Sequence, residues 1–183
     1  MSFTIVNQSV FDSPADAFVN TINVVGAMGA GIALEFKKRY PKMYDDYKIK
    51  CQKKLIRPGD CYIWHTEDTN DYHFVLGLAV KNDWRYWATL EWLESSIKSM
   101  KLVILENDIK SVNMPLPCAM NGRRGPYGKV VGMTPPPGKE EIKEIIKNNL
   151  ENFSYKFCVD IKLCIPGEIP KKKEMDLTQF LEV

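Results

Sequence analysis

The chain has 183 residues, 45% of them hydrophobic, and its 25 Lys and Arg against 23 Asp and Glu leave a net charge of +2. This size and composition fit one globular domain with a substantial core, and the mild charge does not indicate obligate binding to nucleic acid or to an anionic membrane. No apolar run reaches the ~18 residues that a membrane span needs, so we expect a soluble, cytoplasmic protein without membrane contact.

Six runs of β-branched or aromatic residues, each bounded by turn-forming residues, predict six strands. The predicted strands are Phe3 to Val6, Ala17 to Ile22, Cys61 to His65, His73 to Val80, Ser111 to Pro115 and Lys156 to Ile165. No repeat or linker divides the chain before the charged segment that contains Lys171 to Lys173. We therefore expect a single domain over residues 1–170, followed by a charged tail over residues 171–183.

Four helices are predicted between the strands. The first opens within a glycine-rich run and stops at Pro41, and the second covers Lys42 to Cys51. Apolar residues at three- and four-residue spacing predict the other two, from Leu90 to Ile104 and from Ile142 to Leu150. Strands that alternate with helices in a chain of this size favour a three-layer α/β/α sandwich with a mixed or parallel sheet.

Cysteine and histidine usage gives no pattern for a metal site. The five cysteines are odd in number and lack the spacing of metal-binding pairs, so we expect free thiols. His65 and His73 lie outside any motif with metal-ligand spacing. The expectation is a protein without a bound metal.

The most informative stretch is "NTINVVGAMGAGIALEFKKRYP", in which Gly26, Gly29 and Gly31 lie between a predicted strand and a predicted helix. Exposed backbone N–H groups and the positive end of the helix dipole make such a turn an anion site, for which a diphosphate is the natural ligand. The run lacks the Lys and hydroxyl residue of a Walker loop. A dinucleotide fingerprint starting at Gly29 would need its third glycine at Leu34. From the glycines alone, a purely structural tight turn stays open.

Asn20 and Asn23 precede the glycines, where their side-chain amides can hydrogen-bond sugar hydroxyls beside a bound phosphate. The stretch "DAFVNTINVVGAMGAGIALEFKKRYPKMYDDY" resembles the first ligand loop of macrodomains, the ADP-ribose-binding family. It is most similar to the branch of bacterial antitoxins that remove ADP-ribose from DNA and of related glutamate-ADP-ribose hydrolases. The stretches "LIRPGDCYIWH", "VLGLAVKNDWRYWATLEWLESSIK" and "SVNMPLPCAMNGRRGPYGK" extend the resemblance more weakly. It implies an α/β/α sandwich around a six-stranded mixed sheet.

The resemblance implies a ligand site along the glycine run. Asn23 matches a residue that contacts the distal ribose, and Asn20 matches one that more often supports the loop, so Asn20 has either role. The residues expected to line the diphosphate and distal ribose are Gly26, Ala27, Met28, Gly29, Ala30, Gly31, Ile32 and Ala33.

A second loop, Pro117 to Tyr127, is expected to close over the phosphates from the other side. Relatives carry Gly-Cys-Gly where this chain has Cys118, Ala119 and Met120, so the close backbone approach is changed. The residues expected to contact the ligand here are Pro117, Cys118, Ala119, Met120, Asn121, Gly122 and Arg123. Arg123 and its neighbour Arg124 either reach phosphate oxygens or are solvated loop charges.

Lys81, in "AVKNDWR", matches the lysine that hydrolases of this branch use against the anomeric carbon of the ADP-ribosyl group. A lysine of lowered pKa can attack that masked carbonyl carbon and form an imine-type adduct. Relatives also carry an acidic residue in the second loop, near the position of Gly122, and Asp83 is the nearest alternative. Without such an acid, the chain is a binder, a slow enzyme, or an enzyme with a rearranged site.

The adenine end of the site is expected at Ser9 and Val10, where many macrodomains have an aspartate that accepts from the adenine amino group. Phe153, Tyr155 and Phe157 are expected near the same side, as stacking partners or as core residues.

The leading hypothesis is an enzyme that binds ADP-ribose and hydrolyses an ADP-ribosyl linkage on protein or nucleic acid, with Lys81 as nucleophile and Asn23 positioning the ribose. Such an enzyme needs no cofactor, because ADP-ribose is its ligand or product, and it would contact a modified nucleic acid if that is the target. Two alternatives stay open: a phosphatase that acts on ADP-ribose 1''-phosphate, and a non-catalytic reader or sponge. No oligomerisation signal is visible, so a monomer is expected.

Overall fold

The computed structural model describes residues 1–67, 73–118 and 137–167. Its strands are β1 Phe3–Val6, β2 Ala17–Asn23, β3 Cys61–His65, β4 Phe74–Lys81, β5 Ser111–Pro115 and β6 Asp160–Cys164. Its helices are α1 Gly31–Arg39, α2 Pro41–Gln52, α3 Leu90–Glu106 and α4 Lys139–Phe157. Within these described ranges, no helix is long and apolar enough to cross a membrane.

The six strands form one mixed sheet in the order β1-β6-β5-β2-β4-β3. Only β3 runs antiparallel to its neighbour, and every other pair is parallel. The predicted six-stranded mixed sheet is therefore confirmed. Since carboxyl ends of parallel strands meet at one edge, the segments that follow β1, β2, β4 and β5 emerge on the same side of the molecule.

Helices cover both faces of the sheet, because successive side chains of a strand point to opposite faces. Along β2, Ala17 and Val19 join the core beneath α3 and α4, whereas Phe18 and Ile22 join a second core beneath α1 and α2. These two cores give the predicted α/β/α sandwich its three layers.

One predicted boundary was wrong. The run Lys156 to Ile165 was expected to be a strand throughout, but helix α4 continues to Phe157 and β6 begins only at Asp160. Cys158 ends the helix in a left-handed conformation with φ of 56°, and the Ser154 hydroxyl donates to the Val159 carbonyl over 2.7 Å. No Gly or Pro marks this end, so Lys156 and Phe157 of the last helical turn were assigned to the strand that the following β-branched residues indicate.

Pro41 has a second role beyond ending α1, because it opens α2 directly after Tyr40. Proline suits the first turn of a helix, where its missing N–H would have no partner. The two helices are therefore joined without a loop, and α2 turns back to pack behind the glycine-rich segment.

Candidate functional site

The glycine-rich loop connects β2 to α1 and has a backbone shape that depends on glycine. Gly26 has φ of +80° and Gly31 has φ of +56°, in the left-handed region where side chains are disfavoured. Helix α1 starts after Ala30, which offers no side-chain cap, and its first turn contains no acidic residue. The first N–H groups of α1 and the positive end of its dipole are therefore suited to a negatively charged ligand.

Gly29 lies in the middle of this loop and faces open space. A Cβ atom at Gly29 would meet no atom within 4 Å, whereas one at Gly26 would lie 3.5 Å from Cβ of Cys51. Gly26 is thus required by backbone conformation and by its proximity to α2, while nothing in the described fold requires glycine at position 29. A ligand that approaches the backbone is a reason for a small residue there.

Asn23 fastens the glycine loop through its side-chain amide. Nδ2 donates to the Ala27 carbonyl over 2.7 Å, and Oδ1 accepts from the backbone N–H groups of Val25 and Ala27 at 3.2 Å each. The side chain is 6% exposed. Because Oδ1 already accepts two bonds, the second N–H of Nδ2 is what Asn23 offers a ribose. The ribose contact of Asn23 stays a prediction.

Asn20 lies three residues before Asn23 on β2 and is fully buried. Its Nδ2 contacts Sδ of Met28 at 3.8 Å, and its Oδ1 has no hydrogen-bond partner among the described residues. Met28 is itself buried against the core beneath α1 and α2. Asn20 and Met28 therefore support the loop from below, which agrees with the structural alternative considered for Asn20.

Two tyrosines of α2 hold the loop from behind, and sequence reasoning assigned neither of them a role. The buried Tyr47 hydroxyl donates to the backbone carbonyl of Asn23 over 2.5 Å and lies 3.3 Å from its Oδ1. The Tyr44 hydroxyl donates to the Gly26 carbonyl over 3.3 Å. Burial raises the pKa of Tyr47 far above its ordinary value, so the hydroxyl remains a donor. The three-residue spacing in "YDDY" was the available signal, since it places both rings on one helix face.

Lys81 is the last residue of β4 and lies beside the start of the glycine loop. Its partner in the neighbouring strand is Asn23, and its backbone carbonyl accepts from Val24 N–H over 3.1 Å. The side chain is only 8% exposed. Burial lowers the pKa of Lys81, while Cys118 and Asp83 raise it by electrostatic attraction. The amine of Lys81 is therefore more readily neutral than that of an ordinary surface lysine.

Cys118 brings the start of the second loop to Lys81. It is 4% exposed and adopts a left-handed conformation with φ of 59°. Burial raises the pKa of its thiol to about 12, against the lowering effect of Lys81. Pro117 is buried beside it. The other predicted second-loop residues lie outside the described part of the chain: Ala119, Met120, Asn121, Gly122 and Arg123, together with Arg124.

Asp83 lies near Lys81 but is engaged by Arg85. Its carboxylate accepts from the backbone N–H of Arg85 over 2.9 Å and from Nε over 3.0 Å, and pairs with a terminal guanidinium nitrogen. The hydrogen bonds from the Arg85 side chain lower the pKa of Asp83. An acid held in its ionised form is a poor proton donor, so this geometry suits Asp83 to accepting a hydrogen bond or a proton.

The adenine end predicted at Ser9 and Val10 lies at the same edge of the sheet as the glycine loop. The Ser9 N–H donates to the Asp12 carboxylate over 2.7 Å, and Asp12 N–H donates back to the Ser9 carbonyl. Val10 is buried, and its carbonyl accepts from Asn113 Nδ2 over 3.0 Å. Phe11 packs on Phe36 of α1, with ring centroids 4.8 Å apart. The Ser9 turn is thereby held next to α1.

The aromatics expected near adenine are elsewhere. Phe153, Tyr155 and Phe157 belong to the last turns of α4, which leads into the amino end of β6 and so lies at the opposite edge of the sheet. Phe153 packs into the core beneath α3 and α4, and Tyr155 is 65% exposed. Their expected position near adenine was wrong, whereas the core role left open for them is confirmed for Phe153, and Phe11 is the aromatic residue that accompanies Ser9.

All five cysteines have free thiols. Over the described ranges, no group of three or more His, Cys, Asp and Glu side chains is arranged to hold a metal ion. Among the described residues, the Lys81 amine is influenced by the buried thiol of Cys118 and by the carboxylate of Asp83, which is ion-paired with Arg85.

Comparison with known proteins places these features in a family. The family model for the Macro domain matches residues 19–122, more than half of the chain. A DNA ADP-ribosyl glycohydrolase of Thermus aquaticus is 28% identical over 166 residues, which cover 91% of this chain and 42% of that protein. One of Mycobacterium tuberculosis is 34% identical over 100 residues, covering 55% of this chain and 28% of that protein. This chain therefore spans less than half the length of these curated relatives.

An ADP-ribose 1''-phosphate phosphatase of Aspergillus oryzae is 37% identical over a shorter stretch of 54 residues. That stretch covers 29% of this chain and 27% of that protein. Among solved structures, the macrodomain of Mycobacterium tuberculosis DarG superposes with a TM-score of 0.75 at 26% identity, over 91% of this chain and 98% of that one. Thermosipho africanus DarTG in complex with ADP-ribose superposes with a TM-score of 0.74 at 19% identity, over 92% of this chain and 43% of that one. The chain belongs to the Macro domain family.

Proposed function

We propose that this chain binds ADP-ribose and hydrolyses the bond that joins an ADP-ribosyl group to a macromolecule, with DNA as the favoured target. The observation that carries the proposal is the position of Lys81, buried at the end of β4 and paired in register with Asn23 at the start of the glycine loop. The relatives named DNA ADP-ribosyl glycohydrolase support DNA over protein as the target.

Binding relies on the glycine loop. Backbone N–H groups at the start of α1 contact the diphosphate, and the absence of a side chain at Gly29 lets it approach. Asn23 holds the loop in shape and offers one N–H to the distal ribose. Ser9 and the Val10 backbone receive the adenine.

Hydrolysis uses Lys81 as a nucleophile. Its neutral amine attacks the anomeric carbon, a C–N bond forms to the lysine, and the bond to the modified base breaks as the base takes up a proton. Opening of the ribose ring gives an imine at that carbon. Water then adds to the imine, the lysine amine leaves, and ADP-ribose is released. The lowered pKa of Lys81 supports this role, because only the neutral amine is nucleophilic.

The test compares wild-type protein with Lys81→Ala on ADP-ribosylated DNA, on ADP-ribosylated protein and on ADP-ribose 1''-phosphate. We expect wild type to release ADP-ribose from DNA, and Lys81→Ala to lose this activity while retaining affinity for ADP-ribose in calorimetry. Full activity in Lys81→Ala would refute the lysine mechanism. An absence of ADP-ribose binding, even in the millimolar range, would refute the whole proposal.

The phosphatase is the second candidate, favoured by the match to an ADP-ribose 1''-phosphate phosphatase. Phosphate release needs a positioned water in place of an amine nucleophile. If the protein is a phosphatase, Lys81→Ala should therefore still release phosphate from ADP-ribose 1''-phosphate. A reader without catalytic activity predicts ADP-ribose binding with no turnover of any of the three substrates.

We also propose that the protein acts in the cytoplasm as a monomer. Free thiols at all five cysteines are typical of a reducing compartment. Light scattering after size exclusion, together with fractionation of the producing cells, tests these two points.

A further inference from the structure

The segment Trp84 to Tyr86, which we call the aromatic rim, begins three residues after Lys81 and belongs to neither of the fold's two cores. We infer that Trp84 and Tyr86 form a stacking surface for the bases of the single DNA strand that carries the ADP-ribosyl group. This inference rests on the proposed function and adds to it the part of the protein that recognises the macromolecule.

Exposure of the two rings is the first observation. Trp84 is 50% exposed and Tyr86 is 41% exposed, although aromatic side chains of this size are usually buried. Exposed Trp and Tyr together mark a contact surface more often than scattered aliphatic residues do.

The second observation is that the aromatic rim is held in a defined turn. The buried carboxylate of Asp83 accepts a hydrogen bond from the backbone N–H of Arg85. The backbone carbonyl of Asp83 accepts one from the N–H of Tyr86 over 3.1 Å. The Arg85 side chain also binds this carboxylate, and its guanidinium carbon lies 5.9 Å from the centre of the Trp84 ring. A turn fixed at both ends presents the rings with little entropic cost on binding.

The third observation is the distance along the chain to the reacting group. Trp84 is three residues from Lys81, a separation that spans at most about 11 Å. The N–H of Val24 bonds to the carbonyls of both Lys81 and Asn82, so the glycine loop and the aromatic rim begin at the same point. If the glycine loop holds the diphosphate, the modified base is attached at the anomeric carbon beside Lys81, so the nucleotides that flank it lie near the aromatic rim. Val25, 51% exposed, adds apolar surface there.

Charge at the aromatic rim suits a nucleic acid. The only carboxylate between Lys81 and Trp87 is Asp83, which Arg85 neutralises, so no unpaired negative charge in this segment opposes a phosphate backbone. Flat rings accept any base by stacking, and the Arg85–Asp83 ion pair leaves no net negative charge beside them. Bases of a duplex are stacked on each other and are inaccessible to such rings. A single strand is therefore the partner that this chemistry fits best.

The test measures binding of three labelled probes to Lys81→Ala, which removes turnover: free ADP-ribose, a single-stranded oligonucleotide with one ADP-ribosylated base, and an ADP-ribosylated peptide. Trp84→Ala is combined with Lys81→Ala, and Tyr155→Ala is the matched control, because Tyr155 is an exposed aromatic at the opposite edge of the sheet. We expect Trp84→Ala to weaken binding of the oligonucleotide roughly 5- to 100-fold. The affinity for free ADP-ribose should change less than about twofold, and Trp84→Phe should restore most of the loss.

Three results would overturn the inference. The first is unchanged oligonucleotide affinity in Trp84→Ala, and the second is an equal loss for free ADP-ribose, which would reveal a general effect on the ligand site. The third is an equal loss for the peptide, which would make the rim a surface for proteins as well. Failure of ADP-ribose itself to bind is a separate outcome that refutes the proposed function, and with it the inference.

Discussion

The hydroxyl of Tyr47, on helix α2, donates a hydrogen bond over 2.5 Å to the backbone carbonyl of Asn23, the last residue of β2. The side chain of the same asparagine binds Val25 and Ala27, so one residue links α2 to the whole glycine loop. A buried donor that stays protonated gives this link no dependence on pH in the ordinary range. The loop that we propose for the diphosphate is thus shaped by a helix that comes after it in the chain.

Removing this hydroxyl tests whether the loop shape matters for binding. We expect Tyr47→Phe to lower stability by about 1–2 kcal/mol, because the buried Asn23 carbonyl loses its donor. ADP-ribose affinity in calorimetry should fall by up to roughly tenfold, because the loop is then less preorganised for the ligand.

Tyr62→Phe is the matched control for Tyr47→Phe. Tyr62 is also buried, and its hydroxyl donates over 2.8 Å to Asp46 and over 3.2 Å to the Met43 carbonyl, away from the glycine loop. We expect a similar loss of stability with little loss of affinity. Equal affinity losses in the two variants would show that Tyr47 acts only through general stability.

Gly26 and Gly29 are expected to respond in opposite ways to alanine. Gly26→Ala forces a side chain into φ of +80° and should cost about 1–2 kcal/mol of stability. Gly29→Ala places its Cβ in open space, so its melting temperature should stay near that of wild type.

Ligand affinity separates the two glycines further. If the diphosphate approaches Gly29, then Gly29→Ala reduces ADP-ribose affinity by at least tenfold without destabilising the fold. Calorimetry and thermal unfolding of the same samples measure both quantities. A Gly29→Ala variant with wild-type affinity would exclude close approach of the ligand at this residue.

Lys81 should link stability to pH. Burial disfavours its charged form, so the folded state binds fewer protons than the unfolded chain between the lowered pKa and the ordinary value of 10.5. The destabilisation is fully present below the folded pKa, and stability rises as pH increases through this window. Urea unfolding of wild type and Lys81→Met between pH 7 and 10 measures how the free energy of unfolding changes with pH.

We expect Lys81→Met to be more stable than wild type at pH 7, with a gap that narrows as pH rises. Hydrolysis should fall on the order of 10³-fold or more, because the nucleophile is lost. Lys98→Met, a change at an exposed lysine of α3, is the control and should alter neither property. Parallel stability curves for wild type and Lys81→Met would contradict the inferred burial of the charge.

Asp83 is expected to tune the pH dependence of hydrolysis. Its negative charge raises the pKa of Lys81, so Asp83→Asn should lower that pKa and move the rising limb of the rate profile to lower pH. The same change releases Arg85 and should cost about 0.5–1 kcal/mol of stability. Rates of ADP-ribose release between pH 5 and 9 test the shift, and a limb that moves to higher pH would contradict it.

Local patterns determined much of this protein. Hydrophobic residues repeating every two positions predicted the strands, and those repeating about every 3.6 positions predicted the helices. The glycine run with its two asparagines predicted the family. Both patterns are local, because they involve residues that are close in sequence. Lys81 was identified by the resemblance of "AVKNDWR" to the lysine-bearing loop of the family, since a lysine after a strand is by itself an ordinary surface residue. The end of α4 was missed, since no Gly or Pro marks it and Cys158 ends the helix in a left-handed conformation, a role usually filled by Gly.

Only the tertiary structure decided how the site residues meet. Tyr47 contacts Asn23 from 24 positions away, Cys118 lies near Lys81 although it follows a different strand, and Arg85 binds the carboxylate of Asp83. Burial lowers the pKa of Lys81, while Cys118 and Asp83 act on it in the opposite direction. Such effects come from the distances between side chains of separate elements and from the water that packing excludes, and neither quantity is encoded in any single stretch of the sequence.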